Sequence, residues 1–355
     1  MSFLESIAKS NPLTALYMKA GIPQNIHIDV TSRCNLKCVH CYVLQGRKDA
    51  LSTDDITGFL DQAASMGVMI LTFSGGEPFL RGDIFKILAH ARQKRFLFRV
   101  FTNAVLLDER KIEKLLLLGP LMVGVSVYSM DPAIHDRITK VPGSFLKTRA
   151  AVERMAKAGL KIEIKTVVMK SNADGYTDIV SWSQSLGPKV TRKYDIVLTP
   201  RIDGGREPLD LMMDDAGRVR LLKSLKLKEA VETAEKRGEE LEPDSSGSGL
   251  MPDEPVCLAG ITGCYLSPDG EVYPCIDWRI PCGNILNLPL KRIWKSKNMK
   301  RAKRFKLSEL AVCTGCDLLK GCRVCPGINL LHMGDEKTPS PLTCARTRAL
   351  KEVFG

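Results

Sequence analysis

No stretch of the 355-residue chain reaches about 18 consecutive apolar residues, which excludes a hydrophobic membrane-spanning helix. The first twenty residues carry Glu5, Lys9 and Lys19 within a short amphipathic pattern and lack the apolar core of a signal peptide, so a cytoplasmic location is expected. Acid is missing from Lys291 to Lys306, a run of nine basic residues with Trp294 and Phe305 interleaved. A groove for nucleic acid or an acidic peptide would use such a run. A solvated helix face whose aromatics turn into the core accounts for it more simply.

What is present is a globular composition: 44% hydrophobic residues, enough for a large α/β domain with a smaller one, and a net charge of +12 that admits acidic partners without naming one. Of the 12 cysteines, nine crowd into the last hundred residues. A secreted disulfide scaffold of that density would be far shorter, so metal clusters in a reducing compartment are the better reading.

The densest thiol group is Cys34-Asn-Leu-Lys-Cys38-Val-His-Cys41, just after the first expected strand, Asn25 to Val30. Thiolates this close can converge on one soft ion or on an iron-sulfur cluster. Structural zinc wants four ligands, and the only nearby fourth, His40, is squeezed between Cys38 and Cys41. Three ligands leave a coordination position open, as chemistry requires.

Ile26, Ile28 and Val30 alternate as in a strand, and similar units follow. Strands are expected at 68–73, 96–102, 122–128, 161–169 and 194–199. Helices are expected from Ser52, which opens a capping-box-like start with Asp55, and at 83–94, 108–118, 144–158 and 176–186. Strands alternating with helices every thirty residues or so argue for an α/β fold with a parallel sheet, and six strands fall short of a closed eightfold barrel. Ligands gather at the carboxyl ends of such strands, where the three cysteines sit. The expected organisation is an N-terminal helix over 1–22, the partial (β/α)6 barrel over 23–200, a bridging region with a flexible loop over 201–255, and a small cysteine-rich iron-sulfur domain over 256–355.

Ser74-Gly75-Gly76-Glu77-Pro78 follows the second strand at the same sheet edge. Its glycines let backbone approach a ligand closely, and Glu77 can accept hydrogen bonds from an amine. Cys34-x3-Cys38-x2-Cys41 followed one strand later by Gly75-Gly76-Glu77-Pro78 resembles the radical S-adenosylmethionine superfamily. The resemblance implies a 4Fe-4S cluster on Cys34, Cys38 and Cys41, with S-adenosylmethionine chelating its fourth iron. It places His40 near the adenine and gives Gly75, Gly76 and Glu77 to the methionine amino group. Asn103, Ser126 and Arg137 become ribose or carboxylate contacts.

The tail runs Cys257-x6-Cys264-x10-Cys275, then Cys282, then Cys313-x2-Cys316-x5-Cys322-x2-Cys325-Pro326, and Cys344. Eight thiols make two four-cysteine clusters and leave one over; paired Cys-x2-Cys spacings also serve zinc ribbons. The tail resembles the SPASM extension of the same superfamily. That likeness implies a first auxiliary 4Fe-4S cluster on Cys257, Cys264, Cys275 and Cys325 and a second on Cys313, Cys316, Cys322 and Cys344. The last spacing of the four-cysteine run is x2 where x3 is commoner, and Cys282 is supernumerary, most simply a buried thiol. Asp277, two residues after Cys275, is a candidate general base, although Ile276 intervenes where relatives that oxidise a sulfatase side chain place the carboxylate directly.

The two resemblances run from about Pro23 to Thr347. The residues ahead of them are too few for a winged-helix leader-binding domain. The expected function is reductive cleavage of S-adenosylmethionine to a 5'-deoxyadenosyl radical and oxidative modification, by crosslink or side-chain oxidation, of a peptide or protein. The expected partners are that substrate, a low-potential donor such as flavodoxin or ferredoxin, and a separate leader-binding protein; a membrane and nucleic acid are not expected. The alternatives are radical chemistry on a small molecule such as a tetrapyrrole or cofactor precursor, and an electron-transfer or zinc-dependent nucleic-acid-binding protein.

Overall fold

In the computed structural model, which describes residues 7, 9–43, 49–236 and 251–354, six parallel strands follow the expected βα alternation. They are β1 (Asn25–Asp29), β2 (Ile70–Ser74), β3 (Leu97–Thr102), β4 (Met122–Ser126), β5 (Ile162–Val167) and β6 (Val190–Asp195). The connecting helices are α2 (Thr53–Ser65), α3 (Ile84–Gln93), α4 (Glu109–Leu118), α5 (Pro132–Thr139), α6 (Ser144–Lys157) and α7 (Tyr176–Ser185), with α1 (Pro12–Ala20) before β1. α2 starts where the sequence says it should. Ser52 Oγ accepts from the Asp55 backbone N–H and Asp55 reaches back to the Ser52 N–H, a reciprocal cap of about 1 kcal/mol.

Strand alternation decides the two faces of the sheet. Ile26, Ile28, Leu71, Phe73, Phe98, Val100, Val123, Val125, Ile162 and Ile164 are essentially buried under the helices. Each such side chain contributes about 1.5–3 kcal/mol. Paired register then puts His27, Thr72, Arg99, Phe101, Gly124, Lys165 and Lys193 on the opposite, inner face.

Two features depart from expectation. The sixth strand begins at Val190, four residues before the expected start, because Val-Thr-Arg-Lys-Tyr-Asp forms an edge strand whose polar side chains can remain at water. The sheet also continues past β1. β7 (Gly263–Leu266) pairs parallel to β1, and β8 (Glu271–Tyr273) and β9 (Gly283–Asn284) extend it antiparallel, giving the order β6-β5-β4-β3-β2-β1-β7-β8-β9. The cysteine-rich domain is therefore welded to the barrel through β1, the strand that feeds the three-cysteine loop.

After β6, α8 (Asp215–Lys236) packs along the C-terminal helix α13 (Pro341–Phe354). Most of the loop expected before Pro255 lies outside the described residues. α9 (Leu290–Ile293) and α10 (Lys297–Arg304) hold the basic run. Met299 and Ala302 of α10 are buried, Trp294 donates to the Gly21 carbonyl, and Lys303 lies 3.7 Å over the Trp294 ring. The run is thus a solvated face with its aromatics anchored inside. α11 (Ala311–Thr314) and α12 (Pro326–Met333) complete the tail around a second core of Val256, Trp278, Phe305, Leu307 and Leu310. No helix among the described residues is long and apolar enough to cross a membrane.

Candidate active site

The three-cysteine loop leaves β1 and is clamped from two sides. The Lys37 and Val39 N–H groups donate to the Thr139 and Ile138 carbonyls at the end of α5, at 3.0 and 2.9 Å. On the other side the Gly76 N–H donates to Thr31 O and the Glu77 N–H to Arg33 O, both at 2.8 Å. The loop carrying the thiols and the Gly-Gly-Glu turn are one hydrogen-bonded unit.

That unit requires its glycines. Gly75 has φ +134°, where L side chains are strained, and a Cβ there would lie 2.3 Å from Thr31 O. A Cβ on Gly76 would lie 2.1 Å from Arg33 O and 2.5 Å from Arg33 C, both backbone atoms that cannot swing away. Gly76→Ala is expected to push the loop outward at about 1–3 kcal/mol, weakening S-adenosylmethionine binding roughly five- to a hundredfold in equilibrium dialysis. Gly82→Ala, with nothing within 4 Å, should leave binding unchanged. Equal affinity in both variants would show that the close approach is dispensable.

Glu77 is fully buried. Its Oε1 accepts from Phe79 N at 3.1 Å and from Thr102 Oγ1 at 2.8 Å, and its Oε2 accepts from Asn103 N at 2.8 Å. Burial pushes its pKa up to about 7 against these bonds. The carboxylate ties the turn after β2 to the end of β3, and a cationic amine arriving beside it would favour its charged form.

Cys34, Cys38 and Cys41 share one environment. Burial first, then nearby negative charge, raises the Cys34 thiol to about 11 and the Cys38 thiol to about 12. The negative neighbours of Cys34 are Glu77 and Cys41; those of Cys38 are Cys41 and Cys34. Three thiols that cannot ionise together without a cation suit a positively charged cluster, which would reverse this effect. The Leu36 N–H and the Asn103 Nδ2 already point at Cys34 Sγ, at 3.4 and 3.8 Å. His40 packs edge-on to Tyr128 at 4.7 Å, and its buried Nδ1 has no hydrogen-bond partner among the described residues. An unpaired buried ring nitrogen beside the thiol loop fits a bound polar ring.

The other expected contacts divide. Asn103 is buried against the loop, its Nδ2 donating to Asn35 Oδ1 at 2.8 Å. Ser126 ends β4 on the inner face, opposite Lys165. Arg137 is not brought in: α5 buries His135, Ile138 and Thr139, and helical spacing leaves Arg137 exposed. The useful part of that motif is Asp136, which accepts from the Gly143 and Phe145 N–H groups and from Ser144 Oγ, and so fixes the start of α6.

Sequence reasoning missed the mouth of the barrel. Tyr265 donates to Asp29 Oδ2 at 2.8 Å, and the Arg279 guanidinium stacks 4.6 Å from the Tyr265 ring and 5.1 Å from Tyr273. Asp29, Ser32, Tyr265, Tyr273 and Arg279 line a small cavity there. No motif marks them, because they meet only through the β1–β7 pairing. Burial raises the Asp277 carboxyl, Arg279 and His27 oppose the rise and Asp195 adds to it, and Asp277 in turn raises Cys275 and Cys325.

In the tail, Cys322, Cys344 and Cys316 each raise the Cys313 thiol after burial has done so, so the four interact electrostatically. Cys257, Cys275 and Cys325 likewise interact electrostatically. Cys264 does not join them; it is buried beside Cys282.

Comparison with known families matches residues 28–182 to the Radical SAM superfamily and residues 257–317 to SPASM, an iron-sulfur cluster-binding domain. The chain carries a Radical SAM domain followed by a SPASM domain. Both are iron-sulfur domains, and the first is a domain of S-adenosylmethionine enzymes. An AdoMet-dependent heme synthase of Nitratidesulfovibrio vulgaris is 26% identical over 344 residues, covering 91% of this chain and 92% of that protein. A PqqA peptide cyclase of Xanthomonas campestris pv. campestris is 28% identical over 343 residues, covering 92% and 88%. Streptococcus suis SuiB bound to S-adenosylmethionine shares the fold, with a TM-score of 0.71 at 19% identity over 96% of this chain and 82% of that one.

Proposed function

We infer that this Radical SAM enzyme oxidises a peptide or protein side chain, forming a crosslink or an unsaturated product. The observation that carries the reading is the surroundings of Asp277, a buried carboxyl group that interacts electrostatically with His27 and Asp195 of the barrel strands and with Cys275 and Cys325 of the tail. Cys34, Cys38 and Cys41 would hold a cluster that, with S-adenosylmethionine bound, would supply hydrogen abstraction, and the tail cysteines would hold clusters able to take up an electron. The chain's own residues do the rest. Gly75, Gly76, Glu77 and Asn103 seat the methionine end of the cofactor. The Tyr265–Arg279–Tyr273 stack walls the mouth, and Asp277 accepts the proton that must leave as the substrate radical loses its electron.

The peptide cyclase relatives align along nearly the whole chain and support a peptide substrate. The reconstituted, reduced enzyme is expected to convert a precursor peptide encoded beside its gene to a product lighter by two hydrogens, with one 5'-deoxyadenosine per event. Deoxyadenosine without a mass change in any such peptide overturns the reading.

One observation favours a second substrate class. Arg99, Lys165 and Lys193 share the inner face; Lys165 Nζ lies 3.6 Å over the Phe101 ring, and burial lowers its pKa to about 8. The paired Lys165 and Lys193, with Glu163 and Asp195 on the same face, would seat a carboxylate such as a carboxylated tetrapyrrole presents, and the heme synthase relatives align over about as much of the chain. The same assay with a carboxylated tetrapyrrole separates the two.

A further inference from the structure

We propose that the first auxiliary site is built from three cysteines, Cys257, Cys275 and Cys325. Cys264 is not a ligand, and one coordination position is left to a donor other than cysteine. The inference rests on the iron-sulfur reading of the SPASM domain and is independent of the substrate.

Direction is the first argument. On β7, Tyr265 pairs with His27 and projects to the inner face, where its hydroxyl meets Asp29. Cys264 pairs with Ile26 and must project to the other face. It is 4% exposed and packs in the main apolar core with Cys282, Leu290, Ile293, Trp294 and Met299. Cys257 and Cys275 instead pack against the separate core of Val256, Trp278 and Phe305. Reaching them would require a one-residue slip of β7, which would turn Tyr265 away from Asp29 and bury the wrong face.

The second argument concerns the sulfur atoms. Iron-bound thiolates are stabilised by backbone N–H donors, and each of the three cysteines has at least one. Ala259 N donates to Cys257, Asp277 N and Trp278 N donate to Cys275, and Ile328 N, in the first turn of α12, donates to Cys325 at 3.4 Å. α12 is held there by a close approach: a Cβ on Gly327 would lie 2.6 Å from the Asp277 carbonyl carbon and 2.7 Å from Trp278 N. Cys264 receives no such bond; its charged neighbours are Cys282 and Lys303. The x6 and x10 spacings thus belong to a strand residue that only looks like a ligand in sequence. A cluster on these three cysteines would keep one iron free of protein thiolate and able to take a small anionic donor.

The test reads iron and electron paramagnetic resonance rather than turnover. Cys264→Val and Cys264→Ser should each retain full iron content and an unchanged auxiliary signal in the reduced protein. Cys275→Ala should lose about a third of the iron, four of about twelve atoms. In wild-type protein saturated with S-adenosylmethionine, which occupies the open position of the catalytic cluster, added ¹³C-cyanide should broaden an auxiliary signal. Loss of a third of the iron in either Cys264 variant, with native circular dichroism, makes Cys264 a ligand and overturns the proposal. An auxiliary spectrum indifferent to cyanide overturns the open position even if the Cys264 variants fail to fold.

Discussion

Replacing Cys34, Cys38 and Cys41 together by alanine is expected to abolish 5'-deoxyadenosine formation completely while the protein keeps about two thirds of its iron. The two parts of the prediction come from different regions. The three thiols sit on a loop clamped between the end of α5 and the Gly75-Gly76-Glu77 turn, and each of those clamps is a backbone hydrogen bond that survives loss of the sulfur. Cys257, Cys275, Cys313 and Cys322 of the tail pack against a second core, around Trp278 and Phe305, that shares no residue with the core under the barrel helices. Chromatographic assay of deoxyadenosine with dithionite as reductant decides the first part. Cleavage that persists in the triple variant would move the reductive centre to the tail, and loss of all iron would mean that the two regions fold as one metal-dependent unit.

What sequence made legible, and what it hid, follows from how local the determining contacts are. The capping box at Ser52, the thiol loop after β1 and the Gly75-Gly76 turn are decided within a few residues, and all three stand where the pattern places them. Arg137 stands exposed because a three-residue motif does not say which of its members a short helix turns outward; α5 spends His135 and Asp136 on packing and capping. β6 was displaced because an edge strand has little apolar periodicity to announce it. Cys264 and the Tyr265–Arg279 stack depend on β7 pairing with β1 across more than two hundred residues. No spacing rule carries that information, since strand direction decides which of two adjacent residues, Cys264 or Tyr265, faces the site.

The same mouth yields the second large effect. Asp277→Asn keeps the shape of the side chain and removes its ability to take a proton. It is expected to uncouple the enzyme: deoxyadenosine continues to form, whereas oxidised product falls by about 10²–10⁴-fold. Electron paramagnetic resonance of the auxiliary clusters should be unchanged, which separates loss of proton transfer from loss of iron. The pH dependence has a definite sign. Burial raises the Asp277 carboxyl, partly offset by Arg279, so the group stays protonated to higher pH than an ordinary aspartate, and only its ionised form can act as base. Product formation by wild type should therefore rise with pH through that raised value, and the Asn variant should lack the rise. The linked stability runs the other way, because a carboxyl held protonated in the folded state contributes stability that is lost as pH climbs from its unfolded value through its folded one. Iron-free wild type should lose stability over that window relative to Asp277→Asn. Full product formation by the Asn variant, with an unaltered pH profile, would assign the proton to another group and leave Asp277 as a hydrogen-bonding residue of the turn after β8.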